Sequence, residues 1–343
     1  MRKKIKTRRF LLITLFICFC STYACKKVTT YVGDQPDILE RDGWYPLTTE
    51  FSSETLYSVY FVDKNTGYIV GTSGLIIKTT DSGLKWEKQI SDITNSLKSV
   101  YFVNENLGYT VGNNGIILKT INGGANWIKQ ISGVNNDLSS VYFTSENTGF
   151  VAGGSGTILK TTNGGTNWLI QTSGTSNNIN SVSIASTNIV FAVGDNGAIL
   201  KTIDSGTNWE LKLVSPDKNL KSVCFPATDT GYAVGVKTEY GANDIILKTS
   251  DGGVNWTQIK SDNSFRALHF VDKNTGYVVS GYRPTAKAAI YKTTDGGANW
   301  KGQTSVVKEL YSVFFIDENL GFAVGTDIDD KVNIIKTKNG GEN

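Results

Sequence analysis

Apolar and polar positions alternate in short runs along nearly the whole chain, and the runs come in sets of four. In the first set they are Leu56 to Phe61, Tyr68 to Gly71, Leu75 to Thr79 and Lys85 to Ile90, all rich in Val, Ile, Tyr, Phe and Thr. That is the composition of pleated, half-buried strands. Asp63-Lys64-Asn65-Thr66-Gly67, Thr72-Ser73-Gly74 and Asp81-Ser82-Gly83 separate them, and each is a turn signal. Beyond the N-terminal segment no stretch keeps helical spacing over three turns, so the pattern predicts strands.

The sets repeat. Trp44, Trp86, Trp127, Trp168, Trp209, Trp256 and Trp300 follow one another at steps of 42, 41, 41, 41, 47 and 44 residues. A unit this short cannot bury its own apolar face, so neighbouring units must stack into a continuous core. Four strands at this period describe a β-propeller blade. Lys-Thr pairs end the third strand at Lys78, Lys119, Lys160, Lys201, Lys248, Lys292 and Lys336, and first strands begin near Leu56, Leu97, Leu138, Ile179, Leu220, Phe265 and Leu310. Both give seven blades. Each lysine precedes its tryptophan by eight residues, which would put the tryptophan of the last unit at position 344, one beyond Asn343. Trp44, ahead of the first complete unit, supplies the missing strand. The expectation is an all-β, seven-bladed β-propeller of four-stranded antiparallel blades over residues 42–343, its ring closed by an N-terminal strand. Closure removes the open sheet edges.

Residues 1–24 read as an export signal. Six basic residues lie within Met1 to Arg9, an apolar run from Phe10 to Cys20 is too short to span a bilayer, and Thr22 and Ala24 place small residues before Cys25. This resembles a bacterial lipoprotein signal with Cys25 as the lipidated residue; cleavage after Ala24 without lipidation is the alternative. Residues 25–41 carry no repeat and read as a tether. The expected location is the cell envelope, membrane-anchored, or periplasmic or secreted without the lipid. Without the signal the chain holds 28 basic and 31 acidic residues. That net charge of −3 argues against nucleic acid, which needs a concentrated basic face. With Cys25 lipidated, Cys224 is left without a disulfide partner.

Thr79-Thr80-Asp81-Ser82-Gly83-Leu84-Lys85-Trp86 fits Ser/Thr-x-Asp/Asn-x-Gly-x-x-Trp, and the pattern recurs at 120–127, 161–168, 202–209, 249–256 and 293–300. In such a turn a short carboxylate or amide caps backbone N–H groups, Gly takes a left-handed conformation and Trp packs between blades. The motif is similar to the Asp-box, or bacterial neuraminidase repeat. With the G-Y/F-x-V-G and I-L-K-T strands, residues 42–343 resemble the photosystem II stability/assembly factor-like propellers. The resemblance implies a non-catalytic binding or assembly scaffold with no cofactor. In photosynthetic members the role falls to an arginine-rich surface, whereas here only Arg41, Arg266 and Arg283 lie beyond the signal.

Features present in every blade belong to packing, so a site for one ligand must break the repeat. The gap from the end of the second strand to the lysine of the third is seven residues in blades one to four, then 13, 12 and 11 in blades five to seven. Insertions confined to one rim often mark a binding face. Glu239, Tyr240, Tyr282, Arg283, Lys287 and Asp329 are therefore the candidate partner-binding residues, facing a protein or glycan, with the membrane reached through the lipid anchor. No catalytic or metal-ligating set is assigned. His269 is the sole histidine, which excludes histidine-based triads and multi-histidine metal sites; it shares a first-strand slot with Tyr60 and Cys224 and reads as a packed interior residue. A glycoside hydrolase with paired carboxylates on the long-loop rim is the alternative function.

Overall fold

A computed structural model describes residues 43–47, 49–237, 245–261, 265–281, 288–326 and 333–342; Cys25 and the expected signal and tether lie outside them. These residues form seven four-stranded sheets. In blade one, Leu56–Phe61 pairs with Gly67–Gly71, which pairs with Ile76–Thr79, which pairs with Glu87–Gln89, all antiparallel. The seventh blade consists of Glu309–Phe315, Gly321–Thr326, Ile334–Thr337 and, as its outer strand, Tyr45–Pro46. The N-terminal strand closes the ring. Outer strands are shorter than the pattern suggests, three residues in blade one rather than six. They have one neighbour only, and beyond Gln89 the chain leaves the sheet with Ile90 73% exposed.

The first strands stand nearest the ring axis, where their side chains meet. Tyr60 lies 5.1 Å from Tyr101 and 5.1 Å from Phe314, Tyr101 lies 4.4 Å from Tyr142, and His269 lies 4.7 Å from Phe314, ring centre to ring centre. Successive first strands are also clasped by serine. The backbone N–H of Val100 donates to Ser58 Oγ at 3.3 Å, and Val141, Val182, Val223, Leu268 and Val59 repeat the bond to Ser99, Ser140, Ser181, Ser222 and Ser312. The joint between blades six and seven has Ala267 in the serine position, and there an Arg266–Glu309 ion pair of 3.1 Å crosses instead.

Hydrophobic burial lies between blades rather than within them. Tyr68, Val70 and Ile76 of blade one pack with Leu97, Val100, Phe102, Leu118 and Trp127 of blade two, and the same wedge recurs around the ring, as expected for units that cannot bury their faces alone. The repeated lysines belong to this joint. Lys78 Nζ donates to Gly123 O of the next blade at 2.8 Å, where Tyr68 Oη donates as well, and Lys119, Lys201 and Lys248 reach Gly164, Gly252 and Gly296 in the same way.

Each Asp-box turn is held by two side chains. Thr79 Oγ1 accepts from Gly83 N at 2.9 Å, while Asp81 Oδ1 accepts from the Thr79 hydroxyl at 2.8 Å and from Lys85 N at 2.9 Å. The structure adds a seventh box in two pieces. Thr337 Oγ1 accepts from Gly341 N at 2.7 Å, and Asn339 Oδ1 accepts from Gly43 N at 3.3 Å, so Gly43 takes the place that Lys85 holds in blade one. Trp44 then packs edge-on against Phe315, centroids 5.6 Å apart.

Candidate functional site

The ladder register defines two faces. Leu56 lies opposite Gly71, and Phe61 lies opposite Gly67, which faces Thr79. One face therefore carries the starts of the first strands and the second-to-third-strand turns, and the other carries the Asp-boxes. On the first face the residue after each leading apolar position points toward the axis. Tyr57, Lys98, Ser139, Asn180, Lys221, Arg266 and Tyr311, one per blade, surround a depression of about 300 Å³, with Asn113 and Asp137 at its edge. This is an axial mouth built by all seven blades, in which neighbouring columns of the repeat hold only Leu, Ile or Phe on one side and Ser or Ala on the other.

Two of its four lining charges are neutralised in place. Lys221 pairs with Asp195 at 3.1 Å and Arg266 with Glu309 at 3.1 Å. Burial works against the Asp195 carboxylate, but the Asn180 amide, the Lys221 ammonium and the Asn178 amide outweigh it and hold the carboxyl below its ordinary range. An arc of alternating chemistry runs over four adjacent blades. Arg266 lies over the Tyr311 ring at 5.5 Å, Tyr311 meets Tyr57 edge-on at 5.4 Å, and Lys98 Nζ sits 3.5 Å from the centre of the Tyr57 ring.

About 10 Å further along the strands the channel is filled by Tyr60, Tyr101, Tyr142, Ser183, Cys224, His269 and Phe314. Tyr60 and Tyr101 donate to Phe102 O and Phe143 O of the following blades at 3.0 and 3.3 Å. Burial pushes the Cys224 thiol up to about 11 and the Tyr60 phenol up to about 12. His269 faces only this channel; burial lowers it from 6.5 to about 4, against a smaller opposing effect of the Phe315 backbone. It is a packed interior residue. Because the folded state resists protonation that the unfolded chain accepts, stability is expected to fall as pH drops from about 6.5 to 4, by at most about 1.4 kcal/mol per pH unit. His269→Phe, the residue that blade seven already places in this slot, should flatten that window in urea unfolding at stepped pH. An unchanged slope would assign the effect to other groups. Carboxylates held low add to the loss only below about pH 5, so the fall between about 6.5 and 5 isolates the histidine.

The sequence-predicted residues Glu239, Tyr240, Tyr282, Arg283, Lys287 and Asp329 lie outside the described residues. The strand ends that flank their segments, Lys237 and Ile245, Gly281 and Ala288, Thr326 and Asn333, all lie on the face where the mouth opens. Sequence reasoning passed over the axial column itself. Its signal lies in the alignment of the units on their leading apolar residue: they share packing columns but place five different residue types, aromatic, basic and polar, at this one position. A wider depression of about 840 Å³ opens on the Asp-box face, along Asp63, Glu105, Lys119 and Glu146. It is built from turn residues that recur with the repeat, and Lys119 is already bonded to Gly164, so the smaller mouth is the stronger candidate.

Comparison with known proteins bears on both the fold and the family. YCF48 from Cyanidioschyzon merolae superposes with a TM-score of 0.69 at 20% identity, covering 86% of this chain and 98% of that one. A structure of YCF48 bound to D1 peptide gives 0.69 at 20% identity, with 87% and 98% covered. The GH74 xyloglucanase from Xanthomonas campestris gives 0.70 at 11% identity, covering 88% of this chain but 54% of the enzyme, so the chain spans about half of it. These likenesses show a shared fold. No curated protein sequence matches the chain. The profile of the family described as photosynthesis system II assembly factor YCF48 matches residues 37–138, 129–210 and 173–309, and by that coverage the chain belongs to this family.

Proposed function

We propose that the chain is a non-catalytic scaffold that works outside the cytoplasm and binds a protein partner on the face where the axial mouth opens. One observation carries the reading: the repeat is broken on that face, by the five residue types that seven blades place around the mouth and by the strand ends there being joined through three longer connections, while the Asp-box turns of the other face recur blade after blade. The relative solved with a D1 peptide supports a protein rather than a glycan as the partner. The charge state of the site supports binding over hydrolysis. A glycosidase acid needs a carboxyl held protonated, with its pKa raised. Among the described residues every carboxyl with a resolved shift is moved down, Asp195 included, and Glu309 is tied to Arg266.

The test is capture from membrane extract of the host with the purified protein on beads. Parent protein should retain a defined partner. Shortening 238–244, 282–287 and 327–332 to the turns of blades one to four should keep the melting temperature and lose the partner. Retention by the shortened protein would move the site to another surface, and no retained partner for either would remove the scaffold reading. The anchor is read in the same material: Cys25→Ala should pass from the membrane to the soluble fraction, since acyl chains would supply the membrane affinity, and equal fractionation would remove it.

A further inference from the structure

The mouth has two charges left over. With Lys221 paired to Asp195 and Arg266 to Glu309, the remaining lining charges are Lys98 and Asp137. Among the described residues Lys98 forms no ion pair and is held in place by the Tyr57 ring. Asp137 uses one oxygen to accept from Asn114 N at 2.9 Å and likewise meets no cation. Beside it Asn113 lines the same depression.

The repeat shows that these charges are not needed for folding. The turn bond made by Asp137 is made in the next two blades by Asn178, to Ser155 N at 3.1 Å, and by Asn219, to Asn196 N at 3.1 Å. An amide serves that turn equally well. Lys98 shares its column with Ser139 and Asn180, so no cation is required there either.

We propose that the axial mouth binds a small zwitterion of the free α-amino-acid class, its carboxylate on Lys98 and its ammonium on Asp137. One spare cation and one spare anion match a ligand carrying one of each; a simple anion or a simple cation would leave the other charge unanswered. A depression of about 300 Å³ is at the small end of ligand sites. The site stands independently of protein docking on the same face, because a partner could be captured with the mouth empty.

The experiment is calorimetric titration of the purified protein with each of the twenty common amino acids. At least one should bind saturably with a dissociation constant of about 1 mM or tighter. Its N-acetyl form, which lacks the ammonium, and its carboxamide, which lacks the carboxylate, should each bind at least roughly tenfold more weakly, as should the parent ligand to Lys98→Met and to Asp137→Asn. Both variants should melt like the parent. The proposal is overturned if no amino acid saturates the protein at about 10 mM, if the N-acetyl or carboxamide form binds as well as the free acid, or if binding is indifferent to both substitutions. Failure of the parent protein to retain any partner, with amino-acid binding intact, would count against the docking reading alone.

Discussion

Trp44→Ala is expected to lower the unfolding free energy by roughly 3–5 kcal/mol, the cost of emptying a packed tryptophan site. Trp44 is 6% exposed, packs edge-on against Phe315, and donates from Nε1 to Gln303 Oε1 at 2.9 Å. That last bond sets it apart. The indole N–H groups of Trp86, Trp127, Trp168, Trp209, Trp256 and Trp300 find no partner among the described residues. Truncation at position 44 therefore empties a wedge and also leaves the Gln303 oxygen without its donor, where the N-terminal strand that completes blade seven meets blade six. Deleting 43–47 should cost at least as much, since it strips the third strand of blade seven of its outer neighbour and exposes an edge. Urea unfolding, with Trp300→Ala as a comparison at an uninterrupted blade, reads the difference. A Trp44→Ala protein with the parent's midpoint would show that this contact does not hold the ring shut.

Gly149→Val is expected to destabilise by about 2–3 kcal/mol through overpacking, and Phe143→Ile in the same chain should recover a large part of that loss. Phe143 and Gly149 face each other across the first two strands of blade three, and a Cβ on Gly149 would fall 2.5 Å from the Phe143 ring. The same Gly-under-Phe pair recurs at Gly67, Gly108, Gly231, Gly276 and Gly321. Blade four alone carries Ile184 opposite Val190, in the same register. The chain thus holds both solutions to one packing problem, the large ring over no side chain and two branched aliphatics together. A double-mutant cycle by chemical denaturation should give a coupling well above the error of addition. Strict additivity would mean that the ring simply swings aside.

Much of this architecture could be read from the residues because the repeat states it seven times. Strand boundaries of the first three strands, the blade count and the partner of Trp44 all followed from spacing. Outer strands were read too long, since Ile90 continues the alternation of strand residues after its neighbour has ended. The G-Y/F-x-V-G strand was legible as a pattern without a reason; the reason is the phenylalanine that fills the space above its first glycine. The seventh Asp-box could not be read as one motif, because Gly43 and Asn339 are 296 residues apart and meet only after the ring closes. The axial mouth was hidden for the opposite cause. Spacing reveals what recurs, and Tyr57, Lys98, Asn180 and Arg266 share a place around the axis but no single residue type. The three insertions stand out in the sequence because length breaks a repeat more visibly than identity does.

The divided Asp-box also determines by which side the molecule can be held. Gly43 and Glu342 belong to a single turn, on the face opposite the mouth. A fusion partner, affinity handle or surface linker joined ahead of residue 43 enters the ring from that side. Coupled to a sensor chip or displayed on a particle through this turn, the ring would lie with its Asp-boxes toward the support and Lys98 and Asp137 toward the solution. Random coupling through lysine amines would do the reverse for some molecules, because Lys98 itself would be consumed.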